Sequence, residues 1–118
     1  MANSRFRFAD LFCGIGGFHQ AMSSLGGHCV FASDIDPLCK DMYLQNYKVD
    51  RFEGDIRFVD SKSIEQFDVL CAGFPCQPFS KAGNQNGFSD SNSGNLFFSI
   101  LNIIDAHPEI KFLIIENV

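Results

Sequence analysis

Apolar runs of strand length, each leading through a glycine or proline turn into a segment of helix length, constrain this chain more than anything else in it. Arg5 to Phe12 reads as a strand, and Gly14-Ile15-Gly16-Gly17 turns it into a helix from Phe18 to Leu25 that stops at Gly26-Gly27. His28 to Ser33 is a second strand, and Pro37, at a first helical turn, opens a helix to about Tyr47. Arg51 to Glu53 reads as a short third strand with Gly54-Asp55 as its exit turn. Phe67 to Ala72 is a strand, Asn95 to Ala106 a helix and Lys111 to Glu116 another strand. Strands that alternate with helices imply an α/β fold with a mainly parallel, doubly wound sheet. Gly73 to Gly94 is rich in Gly, Asn, Ser and Gln and has no periodicity; a loop that long is more often functional or mobile than inert. No repeat or linker divides the chain, so residues 1–118 read as one domain, large enough for a core.

Composition excludes several classes of function. No tract is long enough to span a membrane, and Arg5, Arg7 and Asp10 interrupt the first apolar stretch where a secretory signal would lie. Five cysteines without short-loop metal spacing predict free thiols in a reducing cytoplasm. Cys71 and Cys76 have four residues between them and no second pair or histidine cluster, so no metal site is expected. Nine basic residues against fourteen acidic ones give a net charge of −5 and no basic stripe to follow a phosphate backbone. Strong binding of nucleic acid by this chain alone is not expected.

Three places carry chemistry. In Gly73-Phe74-Pro75-Cys76-Gln77-Pro78-Phe79-Ser80 a thiol stands between two prolines, directly after an apolar run. Pro75 and Pro78 fix φ and stiffen the turn, and strand ends of α/β sheets are where reactive groups collect. Cys76 is therefore presented, whereas Cys71, inside the run, suits the role of a small buried hydrophobe. The second place is Asp10-Leu11-Phe12-Cys13-Gly14-Ile15-Gly16-Gly17-Phe18, whose glycines permit positive φ and close approach of a ligand to the backbone. Asp34, 20 residues beyond Gly14, is placed to accept from ribose hydroxyls. His19 stands where a dinucleotide fingerprint has its last glycine, which favours a nucleoside without a pyrophosphate. Asp55 is positioned to accept from an adenine amino group while Ile56 packs on the ring; solvated turn carboxylates are the alternative for Asp34, Asp36 and Asp55. The third place is Glu116, closing the apolar run Phe112-Leu113-Ile114-Ile115, either as a solvated strand end or as an aimed group whose desolvation would raise its pKa.

Taken in order, these segments resemble the N-terminal part of DNA (cytosine-5)-methyltransferases from about Arg5 onward. Asp10 to Phe18 resembles the family's S-adenosylmethionine loop, Gly73 to Ser80 its catalytic Pro-Cys loop, and Glu116-Asn117-Val118 its Glu-Asn-Val motif. Gly54-Asp55-Ile56, Gly87-Phe88-Ser89-Asp90 and Gly94-Asn95-Leu96-Phe97-Phe98 match further segments in the family's order. The resemblance implies a Rossmann-like, S-adenosylmethionine-dependent methyltransferase fold, incomplete at its C-terminus. It also implies methyl transfer to C5 of a flipped cytosine in double-stranded DNA. Cys76 would be the nucleophile and Glu116 the partner of N3 and the exocyclic amine. By the same resemblance Phe12, Cys13, Gly14, Gly16, Gly17, Asp34, Ile35, Asp55, Ile56, Gly73, Pro75 and Leu96 would bind the cofactor. Gln77 and Ser80 would lie near the flipped nucleotide.

The chain departs from the family at Asp90-Ser91-Asn92-Ser93-Gly94, where the family has Asp-Ser-Arg-Gly. The family's Gln-x-Arg-x-Arg motif, target-recognition region and closing C-terminal helix would all lie beyond Val118, so a C-terminal portion or partner subunit is expected. A remnant that at most binds cofactor, a relative acting on tRNA and a nicotinamide-dependent oxidoreductase are the competing readings. His19 and the proline-flanked cysteine count against the last.

Overall fold

The computed structural model describes residues 4–74 and 93–117. Strands β1 (Phe6–Leu11), β2 (Gly27–Ser33), β3 (Phe52–Glu53), β4 (Val69–Phe74) and β5 (Phe112–Asn117) form one sheet in the order β3-β2-β1-β4-β5. Every neighbouring pair is parallel. Helices α1 (Gly17–Ser24), α2 (Pro37–Asn46) and α3 (Ser93–Ala106) make the crossovers.

Parallel strands covered on both faces need apolar residues at successive positions, and alternation then sorts them between two cores. Phe8, Val69 and Cys71 go to the side of α1 and α2, with Met22 and Tyr43. Ala9, Leu11, Leu70 and Ala72 go to the other side, with Ile100 and Ile103 of α3. One residue breaks the alternation. Phe8 pairs with Cys29 but Ala9 pairs with Phe31, so Val30 is an extra residue in β2, and Val30 and Phe31 both enter the α3-side core.

Each helix starts as its local chemistry dictates. Asp36 caps α2, its carboxylate accepting from the Leu38 N–H at 2.9 Å, with Pro37 in the first turn. Gly16, at φ 100°, caps α1 without a side chain.

Two features differ from the sequence expectation. β4 runs from Val69 rather than Phe67, because the Phe67 N–H is directed to the Glu109 carboxylate and the Asp68 N–H to the Arg7 carbonyl. The segment after β3 holds two 3-10 turns, Ile56–Phe58 and Ser61–Ser63, that were not foreseen. Asp55 and Asp60 start them by accepting from the backbone N–H two residues on, at 3.0 Å each.

Candidate functional site

The chain winds from β1 outward to β2 and β3, then returns to the far side of β1 for β4 and β5. The strand order therefore reverses between β1 and β4, and the crevice beyond their carboxyl ends is where open α/β sheets bind ligands. Register brings the expected residues to this one rim. Leu11 pairs with Ser33 on one side and Ala72 on the other, and Gly73 pairs with Glu116 of β5. Along the rim stand Asp55 after β3, Asp34 after β2, the Phe12–Gly17 turn after β1, Gly73 in β4 and Glu116 in β5.

The turn after β1 is tightly determined. Phe12 has φ 54°, an uncommon conformation for a bulky residue, and Gly14 and Gly16 follow at 55° and 100°. The Cys13 N–H donates to the Ser33 carbonyl at 2.9 Å and the Gly16 N–H to the Cys13 carbonyl at 3.0 Å. Asp34 ties two loops together, accepting from the Gly14 N–H at 2.8 Å and from the Asp36 N–H at 2.9 Å. Each of its oxygens keeps a second lone pair for a ligand. Among the described residues, a side chain at Gly14, Gly17 or Gly54 would meet no neighbouring atom, so the backbone is open there, whereas one at Gly16 would strike the Tyr47 ring. Ser33 Oγ, buried at the end of β2, has no hydrogen-bond partner among the described residues.

Other expected residues are placed as follows. Ile35 is exposed beside Asp34, while Phe12 and Leu96 are half-buried against the α3-side core. Ile56 is 5% exposed within that core, so its side chain is packed there rather than standing free over a ring site. Asp55 is forked by Arg57, with Nη2 at 2.6 Å and Nε at 3.0 Å from its oxygens. That hydrogen bonding holds its carboxyl below the usual range. Its role as a free acceptor for an adenine amine thus competes with an ion pair that the sequence reading did not include. Glu116 lies exposed, without the desolvation considered above. Pro75, Cys76, Gln77 and Ser80 lie outside the described residues; Cys76 follows the end of β4 by two positions.

Sequence reasoning missed a polar cluster beneath the turn. Asp10 is fully buried, and the Tyr43 hydroxyl donates to its Oδ2 at 3.1 Å while Oδ1 has no partner. Burial pushes the Asp10 carboxyl up to about 7; the Tyr43 hydrogen bond opposes the rise and the Asp34 charge adds to it. His19, also buried, brings Nδ1 to 2.6 Å from the same hydroxyl, and burial lowers its pKa to about 4. Burial also raises the Cys29 and Cys71 thiols to about 12 and pushes Cys13 up as well. The signal available was a carboxylate inside a run that reads as buried on both faces. Among the described residues no group of His, Cys, Asp and Glu could hold a metal ion, and no helix is long and apolar enough to cross a membrane.

A parallel sheet of this order, with a glycine turn leaving its central strand, is the Rossmann-like fold of S-adenosylmethionine-dependent methyltransferases. The S. pombe Dnmt2 methyltransferase structure superposes with a TM-score of 0.68 over 97% of this chain and 36% of that one, at 28% identity. A profile of the C-5 cytosine-specific DNA methylases matches residues 6–118, and the chain belongs to that family. It is 47% identical over 116 residues to the Type II methyltransferase M.MspI of Moraxella sp.. It is 46% identical over 113 residues to M.HhaI of Haemophilus parahaemolyticus. These matches cover 98% and 95% of the chain but 27% and 33% of the relatives, so the chain spans about a third of their length.

Proposed function

We propose that this chain is the cofactor-binding and catalytic-motif part of an enzyme that methylates C5 of cytosine in DNA. The supporting observation is the register that sets the β1 glycine turn, Asp34, Gly73 and Glu116 along one rim at the switch point, with Cys76 two residues beyond β4. S-adenosylmethionine, when bound, supplies an electrophilic sulfonium methyl. The residues present fit it. Among the described residues the backbone is open at Gly14, Gly17 and Gly54, and Asp34 has lone pairs to spare for a ribose diol. Phe12, Cys13, Gly16, Ile35, Asp55, Gly73, Pro75 and Leu96 complete the proposed cofactor wall.

C5 of cytosine is too weak a nucleophile to react unaided. Addition of the Cys76 thiolate to C6 moves the C5–C6 π electrons toward C5 and N3, making the ring an enamine. Glu116 hydrogen-bonds N3 and the exocyclic amine and stabilises the charge that develops there. C5 takes the methyl group, its proton leaves to a base, and the re-formed C5–C6 double bond expels Cys76. The base must be extruded from the duplex for any of this to occur, with Gln77 and Ser80 beside it. The rest of the enzyme, as further chain or as a partner subunit, supplies the contacts that grip DNA.

The test uses a duplex containing 5-fluorocytosine, since fluorine at C5 blocks the final elimination. With cofactor present, a covalent protein–DNA adduct is expected at Cys76 and none with Cys76→Ser. An adduct that persists in Cys76→Ser, or turnover near normal in that variant, would overturn the mechanism.

A further inference from the structure

Beneath the glycine turn, a chain of contacts runs from the sheet back to the turn itself. Asp10, in β1, accepts from the Tyr43 hydroxyl of α2 at 3.1 Å, and that hydroxyl lies 2.6 Å from His19 Nδ1 of α1. The His19 ring packs edge-on against Phe8 at 5.3 Å and stacks on Tyr47 with centroids 4.3 Å apart. Tyr47 in turn occupies the space that a side chain at Gly16 would need. Gly16 caps α1 and closes the turn whose Gly14 N–H is held by Asp34. Two of these links are polar and buried, which sets them apart from the apolar packing around them.

We propose that Tyr43 and His19 are positioning residues for the cofactor turn. Anchored on Asp10, they hold Tyr47 under Gly16 and so fix the backbone that the turn presents to S-adenosylmethionine. The inference rests on the cofactor-site reading above. It couples the His19 tautomer to the proton on Asp10. A tyrosine hydroxyl has one hydrogen; if it goes to the Asp10 carboxylate, His19 Nδ1 must be the donor to the tyrosine oxygen. Neutral His19 is then the Nδ1–H tautomer, with Nε2 bare. If Asp10 carries a proton and donates it to Tyr43, the hydroxyl points to His19 and the tautomer reverses.

Equilibrium binding of S-adenosylmethionine by calorimetry, thermal melting, and the ring 15N shifts of His19 test this in the protein, with a complementary C-terminal portion of the family supplied. Tyr43→Phe is expected to weaken cofactor binding about five- to tenfold, as for the loss of a buried hydrogen bond. Tyr47→Leu should weaken it by a similar factor, and the double variant by little more than either alone. Met22→Ala, a cavity in the same core that leaves the polar chain intact, should lower the melting temperature without changing affinity. On the alkaline side of neutrality His19 should show a protonated Nδ1, and Tyr43→Phe should abolish that signature. Unchanged affinity in Tyr47→Leu, an affinity loss in Met22→Ala matching that of Tyr43→Phe, or a protonated Nε2 would overturn the proposal. Asp34→Asn separates it from its premise. Unchanged affinity there would remove the cofactor site itself, whereas weakened binding there with none in the tyrosine variants removes only the positioning role.

Discussion

Asp10 is destabilising where it stands, and the sign of its pH dependence follows from the direction of its shift. Its carboxyl is raised to about 7 in the folded chain, from an ordinary value near 4 when unfolded. Below the unfolded value both states hold the proton and nothing is lost. As pH rises between the two values the unfolded chain releases its proton and the folded one keeps it, so stability falls across that window and levels off above it. Three pH units at about 1.4 kcal/mol each make the loss on the order of 4 kcal/mol. Asp10→Asn keeps an acceptor for Tyr43 and removes the titration. It should therefore be more stable than the parent at alkaline pH and lack the decline, as measured by denaturant melts at several pH values. A second residue-scale prediction concerns thiols. Cys13, Cys29 and Cys71 are buried with raised pKa values, so they should resist alkylation at neutral pH while Cys76 reacts. Cys39, on α2, is only partly exposed and also raised, and should react slowly. Mass mapping of iodoacetamide-labelled peptides checks this, and first labelling at Cys71 would contradict the burial argument.

At the scale of elements, one histidine joins the end of α3 to the 3-10 turn at Ser61–Ser63. His107 is buried just past the C-terminus of α3, with Nδ1 2.6 Å from Glu109 Oε2 and Nε2 2.9 Å from the Ser61 carbonyl. The Glu109 carboxylate and the Ser61 carbonyl are both hydrogen-bond acceptors for the ring. Glu109 also accepts from the Phe67 N–H at 3.3 Å, which ties the segment leading into β4 to the same point. Burial acts to raise the Glu109 pKa, but the hydrogen bonds from His107 and the backbone outweigh it and hold the carboxyl below its usual range. Its contribution is thus present above the unfolded value and lost as pH falls through the depressed one. His107→Ala should cost about 2–4 kcal/mol, by loss of two buried hydrogen bonds and stranding of their partners. The same variant should lose less stability than the parent on acidification, which denaturant titrations at neutral and acid pH measure. Elements of this kind mark the limit of what the sequence discloses. Each strand was legible because residues such as Phe8, Ala9, Leu70 and Cys71 are apolar in succession, the signature of a doubly covered strand. The 3-10 turns were not, because an aspartate cap and a single turn leave no period to read. Asp55 was visible as a rim carboxylate but its partner Arg57 was not weighed, and the Asp10–Tyr43 contact joins residues 33 apart that only the winding of the sheet brings together.

At the scale of the whole molecule, β5 is the outer strand of the sheet among the described residues. Its apolar run reads as a strand buried on both faces, yet Phe112 is 65% exposed, Leu113 48% and Ile115 49%. Phe98 and Leu101 of α3 are exposed as well. An apolar outer strand with free backbone groups is a pairing site, so residues 1–118 expressed alone should self-associate or require a partner. Placing Lys at Phe112 and Ile115 should shift sedimentation toward the monomer. Charge points the same way for function. A chain of net charge −5 without a basic stripe is poorly suited to neutralise phosphates, the main source of affinity for DNA. Residues 1–118 alone are therefore expected not to methylate DNA. The measurement is transfer of a tritiated methyl group to mixed-sequence duplex by the purified chain, with and without a complementary C-terminal fragment of the family. Incorporation that appears only with the fragment is the expected result. Robust incorporation by the 118 residues alone would mean that the rim, without basic residues to hold the duplex, is sufficient to capture and extrude a cytosine.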